Sequence, residues 1–408
     1  MRNAALAVGL TKQTQYSMRT KPGLWQADSV PDTLHLLLID LKQGEKHELN
    51  HQPLILLSRR PLTAFPIFPI YQNSGHRVEV NTKPVGFIDG LASQTMDRLT
   101  TFTLRIFQDL FNKTYEKNPA KMPYWLVPAL HSSQCEQAAD LIDWAAIETA
   151  CNEECKSWTP DMPASMLLDK LLIDPYHGGN RAYSLRLATE YDAATAVPAG
   201  SAKFQSRHGT SILDSSVSLW RKARQTRTWN MQQPVLEVEM VMLRRNMLAT
   251  PVEKETKVKT RGFLCPEPLK ISTLSTNFAR MGYVFPAIIH RLDAYLIAAE
   301  ACTDLGLDVS LPLALEAVTK DSDNTEDHQS HERINFQSGM GPNYERLEFL
   351  GDTFLKMATS IAVFIQNPND NEFEFHVKRM LMLCNQNLFN VAEQKHIYEY
   401  IRSRAFSR

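Results

Sequence analysis

Glu345, Glu348 and Asp352 place three carboxylates within the segment NYERLEFLGD, at offsets of three and four residues that stack them along one stripe of a helix. Like charges so arranged destabilise a helix, and a divalent cation is the usual compensation. Oxygen donors with no histidine in the segment suit Mg²⁺ or Mn²⁺ better than zinc. Such a cation can supply a hydroxide nucleophile and stabilise a leaving oxygen, the needs of phosphodiester hydrolysis. The same spacing also suits a plain solvated acidic face, so spacing alone leaves both readings open.

The element carrying these acids reads as a helix over 345–361, with Leu347, Leu350, Phe354, Met357 and Ile361 at helical spacing and the acids on a neighbouring stripe. The pattern predicts that one face is buried while the acids are offered on another. Gly351, unfavourable inside a helix, predicts close approach of another backbone or a substrate. The polar stretch DSDNTEDHQSHERINFQSGMGPN before it reads as a surface loop, and apolar periodicity from about residue 270 onward predicts an almost wholly helical C-terminal part.

Upstream the pattern changes. Short apolar runs at 35–41, 52–62 and 65–71, bounded by charged or proline turns, read as strands of a β-rich platform, and 95–115 has the period of a long amphipathic helix. A helical segment over 137–154 precedes a hairpin over 171–189, and 214–248 reads as a basic helix followed by an alternating strand. The expected architecture is α+β and multidomain, divided as 1–160, 161–265 and 270–408, the last all-α.

Forty-four basic and 45 acidic residues give a formal charge of −1 over 408 residues, so nucleic-acid binding must rest on local clusters such as LSRRP, WRKARQTR and LRRN. The six cysteines, at 135, 151, 155, 265, 302 and 384, form no CxxC pair, which argues for reduced thiols and against a zinc site. The N-terminus lacks a cleavage site or membrane-length apolar run. The expectation is a cytoplasmic or nuclear chain that does not enter a membrane.

The full string NYERLEFLGD, flanked by LALEAVTKDSDN and RMLMLCNQNL, resembles the signature of ribonuclease III, and the preceding 270 residues resemble the platform and PAZ regions of Dicer, especially its fungal Dicer-like members. The resemblance implies a double-stranded-RNA endoribonuclease using Mg²⁺ or Mn²⁺. It makes Glu348 and Asp352 metal-binding carboxylates, sets Glu345 near the interface of paired ribonuclease III domains, and gives Glu372, or alternatively Glu374, a further acidic position. The family adds an Asp and a Glu three apart on a later helix, and this chain ends at IRSRAFSR without them. It also has no second signature and no helicase phosphate loop, so the resemblance implies a fragment whose partner domain comes from the full-length chain or in trans. A non-catalytic RNA-end-binding scaffold is the alternative, and a metal-independent helical interaction domain a third.

For the PAZ-like part, the resemblance implies an aromatic pocket for the two-nucleotide 3′ overhang of duplex RNA, with Tyr183 and Trp220 as stacking residues. Arg221, Lys222 and Arg224 add cations beside Trp220. Arg244 matches a basic position of the 5′-phosphate pocket, but Met240 and Asn73 stand where a histidine and an arginine are expected. Arg59 and Arg60 read either as phosphate contacts or as salt-bridged surface residues.

Overall fold

The computed structural model describes residues 17–42, 51–72, 76–130, 137–175, 180–202, 211–218, 228–241, 246–250, 260–320, 339–404 and 406. It divides into two compact units, one formed by residues 24–289, the other by residues from 290 onward together with the described segment 17–23. The second boundary therefore falls inside a helix, about twenty residues beyond the division that the change in sequence pattern suggests.

The first unit holds two antiparallel sheets. Strands β1 (Leu34–Lys42), β2 (Leu54–Ser58), β3 (Phe68–Tyr71), β4 (Arg77–Ile88) and β5 (Tyr124–Pro128) form a five-stranded sheet in the order β3-β4-β1-β2-β5. β2 lies between β1 and β5 and is buried along its whole length, which is why its sequence, LILLS, is a run of apolar residues without alternation. Helix α1 (Ser93–Phe111) packs Leu99, Phe102 and Ile106 into the core, each contributing about 1.5–3 kcal/mol of burial. Its polar residues fix the register: Thr100 Oγ1 accepts from Trp125 Nε1 at 2.9 Å, and Thr103 Oγ1 accepts from the Leu126 amide at 3.0 Å. Asn112, in the left-handed conformation (φ 53°), ends the helix.

After α2 (Trp144–Asn152), strands β6 (Lys156–Ser157), β7 (Lys170–Ile173), β8 (Arg181–Leu187), β9 (Leu236–Met240), β10 (Arg261–Leu264) and β11 (Lys270–Ser275) form a six-stranded sheet in the order β10-β9-β8-β7-β11-β6. The expected hairpin is β7–β8, and the expected alternating strand is β9. The short helix α3 (Ile212–Ser218) packs Ile212 and Leu213 with Ala188, Ala193, Val235 and Cys265.

A buried ionic node ties α1 to this second sheet. Asp109, 3% exposed, accepts from Arg105 Nε at 3.1 Å, Ser272 Oγ at 2.6 Å and Cys155 Sγ at 3.5 Å. Its backbone carbonyl accepts from Arg181 Nε at 2.6 Å. Burial, reinforced by the Asp109 carboxylate, pushes the Cys155 thiol up to about 12.

Helix α4 (Thr276–Leu305) runs from the first unit into the second. Its N-terminal half lies close against α1: a Cβ at Gly282 would fall 2.4 Å from Leu110 Cδ1, so a larger residue there would displace that side chain. The second unit continues with α5 (Leu311–Ala317), α6 (Glu345–Gln366), α7 (Glu372–Leu383) and α8 (Asn385–Gln394). The segment 17–23 straps onto it. Arg19 pairs with Glu300 at 3.1 Å and Glu399 at 3.0 Å, its guanidinium lies 4.7 Å from the Tyr400 ring centroid, and the Gly23 amide donates to Glu300 Oε1 at 2.6 Å. Among the described residues no helix is long and apolar enough to cross a membrane.

Candidate functional site

The acidic helix is α6, and its carboxylates come from its first turns: Glu345, Glu348 and Asp352 are all exposed. Negative charge here is favoured by the partial positive charge of the helix N-terminus. The first turn is pinned from the side by Arg346, whose guanidinium donates to both carboxylate oxygens of the buried Glu316 on α5, Nη2 to Oε2 at 2.8 Å. Asp352 has one cationic neighbour on its own helix, Lys356 at 4.0 Å.

Glu348 and Asp352, one helical turn apart, supply oxygen donors from a single edge, the donor type that Mg²⁺ and Mn²⁺ prefer. Among the described residues no three His, Cys, Asp or Glu side chains converge as a cation site would require. Glu372 and Glu374 open α7, and the structure separates their roles. Glu374 closes a capping box, accepting from the Asn371 amide at 3.1 Å while Asn371 Oδ1 accepts from the Glu374 amide at 3.0 Å, whereas Glu372 stays exposed without that duty.

Two expectations for α6 are corrected. Its apolar stripe is not buried: Leu350, Phe354, Met357 and Ile361 are 53–65% exposed, and along the helix only Val363 is buried. Phe349, Ile365 and, on α7, Phe373 are 70–79% exposed, so this face carries far more apolar surface than isolated exposed residues account for. Gly351 has open space around it, and a Cβ at this position would meet nothing within 4 Å, so no backbone of the described residues approaches it closely. A groove of about 320 Å³ lies between α6 and α7, lined by Lys356, His376, Arg379, Met380, Leu383 and Cys384.

In the first unit, Tyr183 sits on β8 with its ring buried. Tyr283 meets it edge-on at 6.3 Å between centroids, and the Arg280 guanidinium lies 4.9 Å from its centroid while pairing with Glu239 at 2.7 Å. The stacking face expected of Tyr183 is therefore taken up inside the protein. Trp220, Arg221, Lys222, Arg224, Arg244 and Asn73 lie outside the described residues. Met240 lies on β9, beside a small cavity shared with Asp174, Asn180 and Arg181. Arg59 is structural: it donates to the carbonyls of Pro119, Ala120 and Met122 at 3.0–3.1 Å and lies 5.3 Å from the Trp125 ring centroid, while Arg60 is exposed.

Sequence reasoning passed over two buried arginines. Arg291 and Arg402 are 8% and 6% exposed and converge on the turn that precedes α6. Beside them is His290, whose imidazole is lowered to about 4 by burial and then by Arg402 and Arg291. The only hint in the sequence was the closely spaced glycine pair in SGMGP, both with positive φ in the structure.

Comparison with known proteins agrees with these two units. The family model described as the PAZ domain of Dicer-like protein 1 matches residues 155–270, and the ribonuclease III domain model matches residues 345–408. Dicer-like protein 1 of Phaeosphaeria nodorum is 46% identical over 100% of this chain, and that of Aspergillus terreus 45% identical over 100%. Over its whole length the chain is similar to part of Dicer-like protein 1. It spans 27% of the length of either of these Dicer-like relatives. Dicer from Giardia intestinalis, a solved structure, superposes with a TM-score of 0.50 at 13% identity, covering 93% of this chain and 54% of that one, a likeness of fold alone. The PAZ match takes in strands β6 to β10 and reaches the start of β11, and the ribonuclease III match opens at the first residue of α6.

Proposed function

We propose that the chain forms the platform, PAZ and leading ribonuclease III portion of a Dicer-like endoribonuclease that processes double-stranded RNA in RNA silencing, in the cytoplasm or nucleus. The observation that carries this reading is the acidic stripe of α6, lying inside a ribonuclease III match in a chain that also carries a PAZ match.

In this reading Glu348 and Asp352 hold a divalent cation, Mg²⁺ or Mn²⁺, with Glu345 and Glu372 as the neighbouring acidic positions. When bound, the cation supplies a water of lowered pKa and neutralises charge on the phosphodiester. The residues of the chain bind and orient: the two carboxylates offer acceptor oxygens on a fixed turn, and Arg346 holds that turn to Glu316. A second ribonuclease III domain pairs with this one. The PAZ-like part receives the 3′ overhang of the duplex through Trp220, Arg221 and Arg224, and Arg244 contacts the 5′ phosphate. Tyr183 supports the sheet beneath.

A non-catalytic RNA-end-binding scaffold is the second reading, favoured by the two-carboxylate edge with no convergent third ligand among the described residues. One experiment separates them. The 408-residue chain, mixed with duplex RNA and Mg²⁺, should bind duplexes bearing a two-nucleotide overhang and cut them negligibly. Fusing a segment that supplies the later Asp-x-x-Glu helix and a partner domain should restore cutting, and Glu348→Gln or Asp352→Asn should then abolish it. A fusion that binds RNA and never cuts favours the scaffold.

A further inference from the structure

α6 is weakly held along its length. Only Val363 among its 22 residues is buried, and its N-cap, Tyr344, makes no side-chain capping bond. What sets its heading must therefore act at its first turn or through α7: Arg346 pins the first turn to Glu316, and the turn before it is held by two arginines from distant parts of the chain. Arg291 Nη1 and Nη2 donate to the carbonyl oxygens of Met340 and Gly339, both at 2.9 Å, so the planar fork grips two successive peptides. Arg402 Nη1 donates to Thr319 Oγ1 at 3.0 Å and to the same Met340 carbonyl at 3.4 Å.

From there the hydrogen bonds run unbroken to the acidic stripe. The Arg402 backbone brackets Thr319, its amide donating to Val318 O at 2.7 Å and its carbonyl accepting from Lys320 at 3.0 Å. Thr319 O accepts from the Tyr344 amide at 3.1 Å, and Tyr344 O accepts from the amides of Leu347 at 2.9 Å and Glu348 at 2.8 Å. The turn is shaped for the fork. Gly341 has φ +89°, and a Cβ there would lie 3.3 Å from Arg291 Nη1.

We propose that Arg291 and Arg402, with Gly341, are positioning residues for the metal-binding stripe: their clamp on Thr319 and the Gly339–Met340 turn fixes the first turn of α6 and so the direction in which Glu345, Glu348 and Asp352 point. The proposal rests on the reading of Glu348 and Asp352 as metal ligands. A positioning role differs from bulk stabilisation because loss of the clamp should loosen the start of α6 and weaken metal binding while α4 and the rest of the unit stay folded.

The test uses the whole 408-residue chain and two variants. Arg402→Lys keeps the charge and loses the planar fork. Gly341→Ala leaves both arginines in place and displaces the turn, which covers the case in which Arg402→Lys does not fold. Hydrogen exchange is followed in peptides spanning 344–348 and in α4, and Mn²⁺ affinity is followed by electron paramagnetic resonance of the free ion. The expected result is exchange at 344–348 about tenfold faster with α4 unchanged, and Mn²⁺ affinity about tenfold weaker, the usual scale for a support one step removed from a metal ligand. Unchanged exchange at 344–348 in a folded variant overturns the clamp. Faster exchange with unchanged Mn²⁺ affinity overturns the positioning role. A wild-type chain whose Mn²⁺ uptake is indifferent to Glu348→Gln and Asp352→Asn overturns the ligand assignment, and with it the positioning role, whereas the exchange measurement still reports on the clamp itself.

Discussion

The Asp109 node makes a quantitative demand on the first unit. Ser272→Ala removes a 2.6 Å hydrogen bond to an ionised carboxylate that is 3% exposed, a loss of roughly 1.5–3 kcal/mol. Asp109→Ala does more, because the Arg105 side chain, 15% exposed, is left without its carboxylate and the Ser272 hydroxyl loses its acceptor. Breaking a buried pair by removing one partner costs roughly 3–5 kcal/mol. For a unit of this size each kcal/mol lowers the melting midpoint by about 2–4 °C, so the single variants should melt about 5 °C and about 10 °C or more below wild type. Because the two residues share one bond, the double variant should be less damaged than the sum, with a coupling of at least about 1 kcal/mol in a double-mutant cycle from urea melts. Additivity within about 0.5 kcal/mol would mean that the two groups do not meet in solution, and that α1 and β11 are joined by apolar packing alone.

Two further outcomes follow from buried titratable groups. His290 is held neutral to about 4 against an ordinary value of 6.5, so the unfolded chain binds the extra proton first. The stability of the second unit should therefore rise on the order of 3 kcal/mol from pH 4 to pH 6.5 and level off above, and His290→Phe should flatten that window; a wild-type profile already flat there would refute it. Cys155, with its thiol pushed up to about 12, should resist alkylation in the native chain at pH 8 while the exposed Cys384 is labelled; mass spectrometry of both peptides checks this, and rapid labelling of Cys155 would show that the node opens.

The platform was readable because its signals are local. Proline and charged turns bound the apolar runs that become β1, β2 and β3, and the 3.6-residue period of α1 names the residues that it buries. Period says which side chains share a face and is silent about what covers that face, which is why Leu350, Phe354, Met357 and Ile361 were expected inside and lie exposed. Asp109 and Arg291 were unreadable for the converse reason. Each is a charged residue in a helix, a residue type ordinarily solvent-facing, and each is buried by partners far away in sequence: Ser272 for one, Gly339 and Met340 for the other. The acids of α6 were legible as a stripe because three- and four-residue spacing is itself the geometry, whereas the pocket expected around Tyr183 depended on neighbours, and these proved to be Tyr283 and Arg280.

The strap of Arg19 onto Glu300 and Glu399 also bears on the order of events at the ribosome. Its two anchors lie 281 and 380 residues downstream. At a synthesis rate of roughly 5–20 residues per second, Arg19 emerges about 15–60 s before its first anchor and about 20–75 s before its second. The unit that contains the acidic helix therefore closes late, after the sheets encoded between its two pieces have had time to form. The N-terminal segment must stay uncommitted through that interval.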